Sequence, residues 1–107
     1  MGLEKLRKAS QERQKEWGKG QEFSLSFRGV ELGGEAGEVL NEIKKIERHR
    51  MGIAGGKETL DDLKDEIGDV IICLDLIAGD LGIDLFECAK KKFNKTSEKH
   101  GFQTKID

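Results

Sequence analysis

Glu31, Glu35, Glu38 and Glu42 follow one another at steps of four, three and four residues. Asp62, Glu66 and Asp69 repeat the arrangement at steps of four and three. On a helix such steps place side chains along one face. Each acid also stands one residue before an apolar one: Leu32, Ala36, Val39 and Ile43 after the first set, Leu63, Ile67 and Val70 after the second. The acidic lines therefore flank apolar faces, and two packed helices would bring them together. Like charges one turn apart repel by about 0.2–0.5 kcal/mol per pair in water, and more as water is excluded. Carboxylates converging in this way need raised pKa values or bound cations. Ligation by carboxylate oxygens alone selects hard cations, Mg²⁺ first and Mn²⁺ as a substitute. Mg²⁺ keeps several waters and takes substrate phosphates as further ligands, which suits a phosphate ester or anhydride. The competing reading is a solvated charged face, with Lys44, Lys45, Lys57 and Lys64 pairing locally with the acids.

The elements that must position these residues are helices. The chain contains no proline, and 37% of it is charged, a profile of long solvated helices more than of a sheet. Gly18–Gly20, the glycine-rich run at 51–56 and the region Gly79–Gly82 divide it into four segments. The first spans about Leu3 to Trp17. The second runs from Phe23 or Ser24 to Arg50, with Leu32, Ala36, Val39, Leu40, Ile43 and Ile46 on one face. The third runs from about Glu58 to Asp80, begun by Lys57 or Thr59, with Leu60, Leu63, Ile67, Val70, Leu74, Ile77 and Leu81 at steps of three and four. The fourth starts after an Asp84 N-cap, ends before Gly101, and carries Phe86, Ala89 and Phe93. The expectation is one all-α domain over residues 1–107, a four-helix bundle whose two long central helices are antiparallel.

Composition narrows the function classes. A net charge of −2 gives no field to draw the chain to nucleic acid or a membrane surface. No apolar run approaches the roughly 20 residues a bilayer span needs, and the charged start, Met1 to Lys8, is unlike a signal peptide. Cys73 and Cys88 lack metal-site spacing and read as buried free thiols in a reducing compartment. The expected location is the cytoplasm. A chain of this length buries a modest core, so self-association is a natural way to gain burial.

Glu35-Ala36-Gly37-Glu38, then Glu66-Ile67-Gly68-Asp69 after 27 intervening residues, resembles the ExxE…ExxD signature of the MazG-like all-α nucleoside triphosphate pyrophosphohydrolases. The surrounding GGEAGEVLNEIKK and DDLKDEIGDVIICLDLIAGDLGIDL agree with it, so the likeness covers about Glu31 to Phe102. It implies hydrolysis of (d)NTP to (d)NMP and pyrophosphate, a homodimer or homotetramer, and house-cleaning of surplus or non-standard nucleotides. It also implies that Glu35, Glu38, Glu66 and Asp69 are the catalytic carboxylates, coordinating Mg²⁺ that bridges the substrate phosphates. One of the four would orient the attacking water, and the resemblance does not say which. Charge neutralisation by the metal and alignment of an in-line displacement fit that reaction.

Further residues enter through the same resemblance. Lys92, Asn94 and Lys95 match a lysine-rich segment near the phosphates, and ordinary pairing with the helix dipole is their other reading. Trp17 matches an aromatic that contacts the base in some relatives, against a core or interface tryptophan. Gly33, Gly34, Gly37 and Gly68 weaken their helices by about 1 kcal/mol each, and Gly34 or Gly37 would admit a close backbone or substrate. His49 and His100 read as surface residues. Cys73 stands where an aromatic would be expected four residues after Asp69. Two alternatives remain: a helical interaction module that binds no metal, and a phosphohydrolase acting on another nucleotide.

Overall fold

A computed structural model of the chain describes residues 2–107; Met1 lies outside the described residues. Four α-helices and no strand make up these residues: α1 (Gly2–Gly18), α2 (Leu25–Met51), α3 (Asp61–Asp80) and α4 (Leu85–His100). The chain is all-α, as its periodicity requires.

The helix ends follow local chemistry. Ser24 caps α2, its Oγ accepting from the Phe27 N–H at 3.1 Å, and Gly52 closes that helix in the left-handed conformation at φ 73°. Asp84 caps α4 through Oδ1 and the Glu87 N–H at 3.0 Å, and Gly101 closes it at φ 70°. The start of α3 differs from expectation. Leu60 is its N-cap residue and offers no side-chain acceptor, while Thr59 Oγ1 accepts from the Asp61 N–H in a turn just outside the helix. Lys57 begins no helix; its ammonium bridges two acids, as described below.

Contacts along the central pair run in opposite senses. Arg28 meets Asp80, Glu35 meets Asp69, and Glu42 shares a lysine with Asp62, so α2 and α3 form an antiparallel hairpin. Helix α1 packs on α3, and the contact of α3 with α4 is much smaller than its contact with α1 or α2. The radius of gyration is 17.2 Å, against about 13 Å for a compact domain of 100 residues. Among the described residues the buried apolar side chains are few, Cys73, Leu76 and Ala78, all on α3.

The apolar stripe expected to form the core of α2 is largely open in the single chain. Leu40 is 67% exposed, and Ile67 on the facing part of α3 is 53% exposed. With Ala36, Val39, Val70, Ile71 and Leu74 they line an open apolar groove between the two helices. Phe86 and Phe93 on α4 are exposed as well. Of the two cysteines expected to be buried, Cys73 is and Cys88 is not.

Candidate active site

The two acidic lines meet along one edge of the α2–α3 hairpin. Their ends are neutralised from within the chain. Lys57 Nζ lies 3.1 Å from Glu42 Oε1 and 2.6 Å from Asp62 Oδ2, and Lys45 adds a second cation to Glu42 at 3.3 Å. Hydrogen bonding to Asp62 and Glu42 raises the Lys57 pKa, and the same lysine lowers that of Asp62. At the other end Arg28 Nη1 stands 3.8 Å from Glu31. Local pairing by lysine, the competing reading of the stripes, therefore holds for Glu42 and Asp62.

The middle of the stripes is different. One carboxylate oxygen each from Glu35, Glu66 and Asp69 lies within 4.8 Å of the others. Among the described residues no ion pair reaches any of these three, or Glu38. The pKa of Glu35 is raised by partial desolvation and then by the charges of Asp69 and Glu66. That of Glu66 is raised by desolvation and then by Asp69 and Glu38. Glu38 thus belongs to the same electrostatic neighbourhood, but it is exposed and lies outside the tight group of three. Three clustered carboxylates without a cationic partner are the donor set a hard divalent cation takes.

No hydrogen bond or ion pair among the described residues joins the other residues singled out from the sequence to this cluster. Trp17 is 74% exposed near the end of α1. Lys92 and Lys95 are exposed on α4 and take part in none of the ion pairs among the described residues. Asn94 uses both ends of its amide to hold the C-terminal tail, donating to the Ile106 carbonyl at 2.8 Å and accepting from its N–H at 2.7 Å. A Cβ built at Gly33, Gly34, Gly37 or Gly68 would meet no atom within 4 Å, so the close approach expected at Gly34 or Gly37 is not made within the chain.

A second polar region escaped the sequence reading. Asp75, 1% exposed, is paired with Arg7 Nε at 3.0 Å. Arg28, 4% exposed, joins three helices through Asp80 at 2.8 Å and Gln14 Oε1 at 2.9 Å, with the Phe23 ring 4.8 Å from its guanidinium. A signal was present, since Asp75 interrupts the apolar run Ile71–Ala78 and charged residues are seldom fully buried without a partner. Cys73, one turn beyond Asp69, lies between the two regions. Burial raises its thiol pKa first, and Glu31, Glu35 and Asp69 add to the shift.

A helical hairpin with a cation-free carboxylate cluster at its edge defines a class: an all-α protein with an acidic site suited to a divalent metal. The comparison with family models is more specific. Residues 29–102 match the MazG nucleotide pyrophosphohydrolase domain, and the chain belongs to that family. It is also 38% identical over 71 residues to the Gene 37 protein of Mycobacterium phage L5, covering 66% of this chain and 61% of the phage protein. The chain thus spans less than two thirds of the length of that relative. No solved structure matches.

Proposed function

We propose that the chain is a Mg²⁺-dependent nucleoside triphosphate pyrophosphohydrolase, cleaving (d)NTP to (d)NMP and pyrophosphate. One observation carries the reading. Within the family-matched segment, Glu35, Glu66 and Asp69 converge without a cation, while lysines or Arg28 stand beside the acids at the stripe ends. Selection for stability alone would favour a lysine in the middle too, because clustered like charges oppose folding.

Glu35, Glu66 and Asp69 would hold the metal, with Glu38 completing the set from the exposed side. Bound Mg²⁺, with Mn²⁺ as a substitute, supplies charge neutralisation on the phosphates and a template for in-line displacement. The protein's own part would be positional: α2 and α3 bring three of these carboxylates within 4.8 Å of one another. One of the four carboxylates would take a proton from the attacking water. Trp17, Lys92 and Lys95 remain proposed substrate contacts through the family resemblance alone, as does Asn94, whose amide is already engaged by the tail.

The open groove supports a homo-oligomer, a dimer or tetramer. Exposed contiguous apolar surface on a small helical chain marks an association site, and a second copy of the hairpin would bury Leu40, Ile67, Ile71 and Leu74. Removal of surplus or non-standard nucleotides in the cytoplasm is the role this reaction suits.

The test is direct detection of pyrophosphate from a panel of dNTPs and NTPs with Mg²⁺. Release by the wild type, abolished by EDTA and in a folded Glu66→Gln variant, is the expected result. No release from any nucleotide by folded protein would overturn the reading in favour of a non-catalytic helical module. Release of orthophosphate instead would indicate a different phosphohydrolase.

A further inference from the structure

A cavity of about 500 Å³ with a mixed polar and apolar lining lies between α1, the α1–α2 loop, the start of α2 and α3, and the carboxylate chemistry makes no use of it. Arg28 and Leu76 on its wall are each seven residues from a cluster acid, Glu35 and Asp69 respectively. Seven residues are two turns, so the cavity shares those helix faces and sits about 10 Å along the hairpin from the cluster. That is the scale of a nucleoside whose phosphates rest on the acids. The wall charges balance: Arg7, Lys15 and Arg28 against Glu22, Asp75 and Asp80. A balanced wall with the apolar Phe23 and Leu76 suits an uncharged planar ring better than a phosphate.

Gln14 gives this wall a polarity. Arg28 Nη1 lies 2.9 Å from the Gln14 side-chain oxygen. A guanidinium can only donate, so the carbonyl end of the amide must face Arg28 and the NH₂ end must turn away from it. Arg28 is itself fixed by Asp80 and Phe23. The Gln14 NH₂ makes no hydrogen bond among the described residues, which leaves a donor of set orientation at the cavity.

We propose that this cavity holds the nucleobase and that Gln14 Nε2 donates to a base carbonyl. The enzyme then prefers bases with an oxo group at purine position 6 or pyrimidine position 4 over those with an amino group there. An amino group would set donor against donor, and a site built for a hydrogen bond rejects the analogue that cannot make it. The inference rests on the pyrophosphohydrolase reading above and specifies its substrate class.

The experiment compares kcat/KM for dGTP against dATP and dUTP against dCTP, by pyrophosphate release, in the wild type and in Gln14→Glu. The substitution keeps an oxygen towards Arg28 and replaces the donor by an acceptor. Preference of the wild type for the oxo member of each pair by about tenfold, reversed in the variant, is the expected result. Equal rates, an amino preference in the wild type, or an unchanged ranking in Gln14→Glu would overturn the base assignment while leaving the reaction intact. If no nucleotide yields pyrophosphate, the reaction is what fails, and a metal-free measurement still decides the cavity. The Gln14 side-chain amide resonances, identified by their loss in the variant, should shift with guanosine and not with adenosine. Shifts with neither nucleoside or with both would sink the proposal.

Discussion

Arg28 and Asp80, at opposite ends of the central hairpin in sequence, meet over 2.8 Å and fix the first turn of α2 against the last turn of α3. The same guanidinium bonds Gln14 on α1, so one buried cation ties three helices. Arg28→Ala leaves Asp80 and Gln14 without their common donor and Glu31 without its nearby cation. A loss of about 1–3 kcal/mol is expected, measured by urea unfolding. Arg28→Lys should recover only part of it, because an ammonium cannot reproduce the planar fork that faces two partners. An Arg28→Ala protein as stable as wild type would show that helix packing alone holds the three together.

Metal binding should separate the middle of the acidic stripes from their ends. Glu66→Gln or Asp69→Asn should abolish Mg²⁺-dependent thermal stabilisation and reduce turnover by more than the 10–100-fold typical of disturbing outer partners of metal ligands. Glu42→Gln should leave Mg²⁺ binding intact, since Glu42 is already paired with Lys45 and Lys57. Glu38→Gln should fall between, weakening affinity without removing it. Calorimetric titration of Mg²⁺ into the four variants would order them, and a Glu42→Gln protein that no longer binds would contradict the division.

Acid titration supplies a sign that can be checked. Glu35 and Glu66 have raised values in the metal-free chain, from desolvation first and then from neighbouring carboxylates. The folded protein therefore binds protons at these groups more readily than the unfolded chain. The stability they contribute is present below the unfolded carboxylate value, about 4.3, and is lost as pH rises through the folded values. Paired acids such as Asp62, lowered by Lys57, act in the opposite direction. The informative quantity is thus the difference between wild type and the Glu35→Gln/Glu66→Gln double variant in EDTA. Relative to the variant, wild type should lose thermal stability as pH climbs above that value. Mg²⁺ should reverse the trend, since it requires the deprotonated acids. A difference independent of pH would mean the two groups titrate normally.

The helices and the acidic cluster were legible in the sequence because both follow from periodicity. Ser24, Asp84, Gly52 and Gly101 fix helix ends by local hydrogen bonding and backbone freedom, which any window of a few residues displays. Periodicity brought two acidic lines together beside two apolar stripes, and the family resemblance singled out Glu35, Glu66 and Asp69 among them, which the structure brings together. Periodicity cannot tell which apolar face is covered within the chain. Leu40 and Ile67 carry the same pattern as core residues and stand open, while the buried apolar side chains of α3 are Cys73, Leu76 and Ala78. Long-range polar contacts were also invisible. Nothing in the spacing of Arg7 and Asp75, 68 positions apart, announces a pair. Asn94 suggested a ligand contact by type, while its actual partner, Ile106, is a backbone group of the tail.

That tail offers a separable test. Asn94 binds both backbone groups of Ile106, so Asn94→Ala should speed amide exchange across residues 102–107 and change global stability by no more than about 1 kcal/mol. If Asn94 also touches substrate, KM should rise in this variant and also in Asn94→Asp. A KM unchanged in both would confine Asn94 to holding the tail.

Self-association should depend on the groove and not on the acids. Leu40 lies 67% exposed on α2 and Ile67 53% exposed on α3, one on each side of the groove. A charge placed there would have to be desolvated in any interface that covers it, at several kcal/mol. Leu40→Glu should therefore convert the assembly to monomer in sedimentation or light scattering, and the monomer should be less stable because its apolar groove remains in water. Glu66→Gln, at a residue that does not line the groove, should keep the wild-type mass. A wild-type protein that is already monomeric at concentrations of about 1 mM, where even a 4 kcal/mol association would show, would remove the groove as a contact between copies. An assembly that persists in Leu40→Glu would place that contact elsewhere, with the exposed Phe86 and Phe93 of α4 the next surface to substitute.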